Sequence, residues 1–160
     1  MQLIHSITFT RSDISIFHQM PTKSIYPAYC HVFHSYFQSP NEAFLSCCMD
    51  RQLPDACLQK CNFHSYTKQA LTAMFFKQDT CPLEAMREMQ YCAAQGRDHR
   101  ECCIRNGVTN TIAGDKCLVF CDQRPGIVTQ LDITYLACFD RFENMKTCFW
   151  DDIERTQRRK

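Results

Sequence analysis

The residues whose types and spacing could do chemistry are cysteines. In the stretch FLSCCMDRQLPDACLQKC, residues 44–61, two adjacent cysteines are followed by a C-x-x-x-C. Sulfur at that density bridges, holds a metal, or supplies a reactive thiolate. The chain has 13 cysteines in 160 residues, near the roughly 8–10 % at which a disulfide scaffold becomes the default. Twelve of them lie between Cys47 and Cys148, and an even set points to complete pairing. Cys30 stands apart as a possible free thiol or interchain link, and any disulfide-linked dimer is expected to run through it.

Zinc is the first competitor. His64 follows the C-x-x-x-C of Cys57 and Cys61, but structural zinc sites favour C-x2-C or C-x4-C with histidines at fixed spacing. Cys30, His31 and His34 read C-H-x-x-H, and the ordinary reading of such a group is a solvated histidine cluster. We assign no metal, no cofactor and no catalytic residue. His99 falls in the first turn of a predicted helix, where exposure is expected.

The elements that must position the sulfurs follow from a repeat. Cys47, Cys48, Cys57, Cys61, Cys81 and Cys92 are matched by Cys102, Cys103, Cys117, Cys121, Cys138 and Cys148. Each sextet reads CC, a gap of 8 or 13, C-x-x-x-C, a gap of 19 or 16, then two cysteines 11 or 10 positions apart. One six-cysteine unit is used twice, with units at about 39–96 and 97–150, and two units make one small domain. Bridges are expected to close inside each unit, with equivalent positions paired alike. A hairpin between the CC helix and the C-x-x-x-C helix would bring Cys48 near Cys57, and Cys103 near Cys117.

Local signals make the units helical. Ser39-Pro40-Asn41-Glu42 combines an N-cap hydroxyl, a proline at the first helical position and a glutamate that completes a capping box. Asp98-His99-Arg100-Glu101 is expected to repeat that logic before Cys102, with Gly107 as the left-handed cap beyond. Cys57 and Cys61, like Cys117 and Cys121, are four apart and would share a helix face. A helix is predicted from Cys81 to Gly96, and another from about Thr129 to Phe149, where Ile133, Leu136, Phe139, Phe142 and Met145 recur in steps of three. Four glycines and little alternation leave strands unsupported. The fold class is therefore all-α: a small disulfide-rich helical domain of about six or seven short helices. Adjacent cysteines on a helix diverge by about 100°, so each CC pair should fasten its helix on two sides.

The ordered series of twelve cysteines, with Pro54 just before the third, resembles the DB module, a cysteine-rich domain of nematode secreted proteins. The resemblance covers about residues 44–150. It implies an extracellular module, found in some proteins beside immunoglobulin-like domains, without established enzymatic activity. Secreted phospholipase A2, also helical and disulfide-rich, carries CC-x-x-H-D. The corresponding positions here are Arg51 and Gln52 after the first CC, and Asn106 and Gly107 after the second. The dyad is missing twice, so a phospholipase-like secreted enzyme is the disfavoured alternative.

Charge and the ends complete the reading. With 18 basic and 17 acidic residues the formal charge is +1, which gives no field for nucleic acid. No run approaches the roughly 20 apolar residues of a membrane span. Twelve paired cysteines require an oxidising, extracellular compartment, although the start, MQLIHSITFTRSDISIFHQM, lacks the basic and apolar regions of a signal peptide. Residues 1–38 are expected to be a flexible lead or the product of a mispredicted exon, and residues 151–160 a basic tail. Between Cys61 and Cys81, Phe63, Tyr66, Leu71, Met74, Phe75 and Phe76 form the longest cysteine-free apolar stretch, most simply a helix face that supplies core. Phe75 and Phe76 are adjacent and cannot both face inward. They are the candidate patch for an unidentified extracellular protein partner.

Overall fold

Ser39 caps the first described helix. In the computed structural model, which describes residues 38–159 except 127, 128 and 131, its hydroxyl accepts from the Glu42 amide while Glu42 accepts from the Ser39 amide. That reciprocal box begins α1, Pro40–Asp50. Five more α-helices follow: α2 Asp55–Leu58, α3 Lys68–Phe75, α4 Met86–Ala93, α5 Arg100–Arg105 and α6 Phe142–Gln157. Three 3-10 segments, Leu83–Ala85, Gly114–Phe120 and Ile133–Arg141, complete the helical elements among the described residues. The only extended pairing there is an isolated antiparallel bridge between Asp98 and Asp122.

The two helices predicted over 81–96 and 129–149 are each divided. The first begins as a 3-10 turn at Leu83 and is α-helical only to Ala93, where Gln95 and Gly96 at positive φ turn the chain out. The second opens with nine 3-10 residues before α6. Apolar residues in steps of three suit that geometry, since a 3-10 helix has 3.0 residues per turn. The tail drawn from residue 151 is instead continuous α6 as far as Gln157, because Ile153 is buried and keeps the helix on the core. Asp98 does not cap α5. It lies one residue further out and accepts from the Arg100 amide, leaving His99 at the N-cap without a side-chain cap bond. Gly107, at φ +71°, follows the C-cap as expected.

Helix α1 packs on α4, α5 packs on α6, and α6 also reaches α1 and α4. The core between them is aromatic. Phe44 meets Tyr66 edge-on at 5.4 Å, and Tyr66 meets Phe142 edge-on at 5.0 Å. Each fully buried ring of this kind contributes about 1.5–3 kcal/mol by leaving water. Because Tyr66 belongs to the first unit and Phe142 to the second, this stack also joins the halves.

Candidate protein-binding surface

Six disulfides hold the frame: Cys47–Cys92, Cys48–Cys61 and Cys57–Cys81 in the first unit, Cys102–Cys148, Cys103–Cys121 and Cys117–Cys138 in the second. In each unit the first cysteine pairs with the sixth, the second with the fourth and the third with the fifth. No bridge crosses between units. Cys47 ties α1 to α4 while Cys48 ties it to the turn after α2, so the CC pair does fasten one helix on two sides.

The expected nearness of Cys48 to Cys57, and of Cys103 to Cys117, does not become a bridge. Cys48 and Cys103 pair instead with the later cysteine of each C-x-x-x-C, Cys61 and Cys121. Helix α2 ends at Leu58, and the chain reaches Cys61 through tight turns in which Lys60 donates to the Cys57 carbonyl and Cys61 to the Leu58 carbonyl. Cys117 lies in a 3-10 segment. At three residues per turn, positions four apart diverge by about 120° instead of sharing a face, so the two cysteines reach different partners. Cys30, His31 and His34 lie outside the described residues.

Between the units opens a cleft of about 190 Å³. Leu71 and Phe75 of α3, with Leu83 and Met86, form one wall; Phe120, Tyr135, Leu136 and Phe139 form the other. Thr67 caps α3 by accepting from the Ala70 amide, and the helix stops at Phe75 with Lys77 at φ +56°. That termination separates the two adjacent aromatics. Phe75 is half-buried in the wall, whereas Phe76 is 57 % exposed, its ring perpendicular to that of Phe75 with centroids 5.3 Å apart. Phe63, Tyr66, Leu71 and Met74 are buried core, although only the last two of these lie on a helix.

Three charged residues reach the cleft: Glu84, Arg87 and Asp132. Asp132 is occupied. It accepts from the amide and the hydroxyl of Thr134, bonds that hold its carboxyl below the ordinary value, and Lys116 stands 3.9 Å away. The side chains of Glu84 and Arg87 make no ion pair with any described residue. Ile133, next to Asp132, is 71 % exposed.

A second titratable cluster is internal. His99, expected at the surface, is buried: its Nε2 lies 3.1 Å from Asp152 Oδ2, its ring meets Phe149 edge-on at 5.0 Å, and Nδ1 is sealed without a hydrogen-bond partner. Burial lowers its pKa despite the opposing pull of Asp152. Arg97 Nε approaches the same carboxylate oxygen at 2.9 Å. Neither imidazole nitrogen faces a place where a substrate could sit, so the His99–Asp152 pair ties the segment between the units to α6 and is not arranged for proton transfer. Nearby, Asp98 and Asp122 each take their own Arg two residues on, Arg100 and Arg124, in charge-assisted bonds at 2.7 Å. Among the described residues no group of three or more His, Cys, Asp or Glu is placed to hold a metal, and no helix is long and apolar enough to cross a membrane.

A helical body closed by two matched sets of three bridges defines a disulfide-stapled module with an apolar cleft between its halves. The DB module profile matches residues 47–149, and the chain belongs to that family. It is similar to two proteins of Caenorhabditis elegans, Ig-like and fibronectin type-III domain-containing proteins 1 and 2, each 36 % identical over 77 residues. The matched segment is 48 % of this chain but only 6 % and 4 % of those relatives. No solved structure matches.

Proposed function

We propose that this chain is a secreted, non-enzymatic extracellular module that binds a protein through the surface around Phe75 and Phe76. The observation that carries the reading is the exposed Phe76 ring packed against Phe75, which lines an apolar cleft, since aromatic anchors beside desolvated pockets dominate protein interfaces. Six disulfides suit an oxidising compartment. The similar proteins are named for Ig-like and fibronectin type-III domains, architectures common at cell surfaces. The DB module is not an enzyme family, and the buried His99 offers no reachable general base. The test is capture from extracellular extract by the oxidised chain, wild type against Phe76→Ser. Loss of the captured protein in the variant supports the reading; equal capture by both overturns it.

A further inference from the structure

We infer that the occupant of the cleft is Phe76 of a second copy, so that the Phe75/Phe76 surface is the interface of a two-fold dimer. The inference rests on the protein-binding reading of that surface and names its partner. Size is the first argument. An apolar cavity of about 150 Å³ accepts one benzene ring, and this cleft, at about 190 Å³, accepts one phenyl group. It is smaller than the roughly 300–1,000 Å³ of small-molecule sites, which favours a single side chain over a lipid or cofactor.

Placement is the second argument. A two-fold interface uses the same patch on both subunits, so anchor and socket must lie side by side on one surface. Phe76 meets this condition: its ring centroid is 5.3 Å from that of Phe75, which is itself part of the socket wall. The ring is 57 % exposed in the single chain, an exposure that reciprocal insertion removes. Ile133, exposed and next in the chain to Asp132 of the cleft, is a further apolar side chain that two copies could cover.

Charge is the third argument. The rim carries one acid and one base, Glu84 and Arg87, that pair neither with each other nor with any other described residue. A foreign partner would need a matching acid and base of its own. A second copy already has them: the two-fold sets Glu84 of each subunit beside Arg87 of the other and makes two identical pairs. Complementarity of this kind fixes register and excludes like-charged alignments.

The experiment is sedimentation of the full oxidised chain carrying Cys30→Ser, which leaves only non-covalent association, from micromolar to submillimolar concentration. A concentration-dependent dimer is expected. Phe76→Ser, at an exposed position, and Leu136→Trp, which fills the cleft, should each weaken it about tenfold or more. Glu84→Arg and Arg87→Glu alone should each weaken the dimer, and the double variant should restore it, because reversing both signs preserves the reciprocal pairs. A chain that stays monomeric, a dimer indifferent to Phe76→Ser, or a double variant as weak as the singles would overturn the homodimer. Monomeric chain that still captures an extracellular protein through Phe76 overturns the homodimer alone; monomeric chain that captures nothing overturns the protein-binding reading as well.

Discussion

Tyr66 donates its phenolic proton to Gln90 Oε1 at 2.6 Å in the centre of the core, and Gln90 Nε2 donates in turn to the Phe120 carbonyl at 2.8 Å. Tyr66 and Gln90 come from the first unit and Phe120 from the second. With no disulfide crossing between units, this relay and the aromatic stack around Tyr66 tie the halves together.

The relay predicts the cost of Tyr66→Phe. The substitution keeps the ring and leaves the buried Gln90 oxygen without its donor, a loss of about 1–3 kcal/mol. Burial also pushes the Tyr66 phenol far above its ordinary pKa, so the donor persists under alkaline conditions where exposed tyrosines ionise. Denaturant unfolding of the oxidised variant checks the first point. A wild-type midpoint would show that the relay contributes nothing to stability.

A pH dependence follows from His99. Its folded pKa is lowered, chiefly by burial, whereas the unfolded side chain takes a proton near pH 6.5. Stability is therefore fully present above about pH 6.5 and is lost as pH falls toward the depressed folded value. Asp98, held at about 2 mainly by Arg100, titrates in a separate window. Its contribution is present above the ordinary carboxylate value and lost only as pH falls from there toward 2. Unfolding midpoints between pH 7.5 and 5 should decline in the wild type and less in His99→Gln. Parallel slopes would show that His99 is not the titrating group.

How much of this was legible in the residues depends on distance along the chain. The capping box at Ser39 and Glu42 is local, and the structure contains it. The steps of three through Ile133, Leu136 and Phe139 carried the 3-10 period, although three-residue spacing alone does not separate 3-10 from α geometry. The burial of His99 was hidden because its partner, Asp152, is 53 residues away. The paired sextets indicated how many bridges to expect. Which cysteine of each C-x-x-x-C takes the CC helix depends on where α2 ends, and a four-residue helix leaves little pattern. Phe75 and Phe76 could be singled out because adjacent residues diverge on a helix; the opposing wall from Phe120, Tyr135 and Leu136 exists only once the second unit has folded against the first.

Bridges of different span should differ in worth. Cys102–Cys148 joins positions 46 apart and Cys48–Cys61 joins positions 13 apart. Restricting the unfolded chain over those loops is worth about 4 and about 3 kcal/mol respectively on the chain-entropy account. Replacing each pair by alanine and measuring unfolding should reproduce that order. Non-reducing peptide mapping should recover no fragment that joins cysteines of both units, and finding one would remove the two-unit account.

The last prediction concerns the turn that carries the chain out of α4. Gly96 sits at φ +62°, its amide donates to the Tyr91 carbonyl at 2.9 Å, and a Cβ added there would lie 2.7 Å from the Tyr91 ring. That ring is itself held, with the Arg51 guanidinium 3.9 Å above its centre and Arg51 paired to Glu88 at 2.8 Å. Gly114 provides the control, since at φ +56° it has nothing within 4 Å of its added Cβ. Gly114→Ala should cost only the left-handed backbone penalty, about 1–2 kcal/mol, while Gly96→Ala should cost more because the ring must also move. In a Tyr91→Ala background the two glycine substitutions should cost the same, because the double-mutant cycle removes the clash and leaves the backbone term. Unfolding free energies of the three single and two double variants measure this directly. Equal costs for the two glycines in the wild-type background would mean that Tyr91 yields freely and that the turn tolerates a side chain as well as any exposed left-handed position.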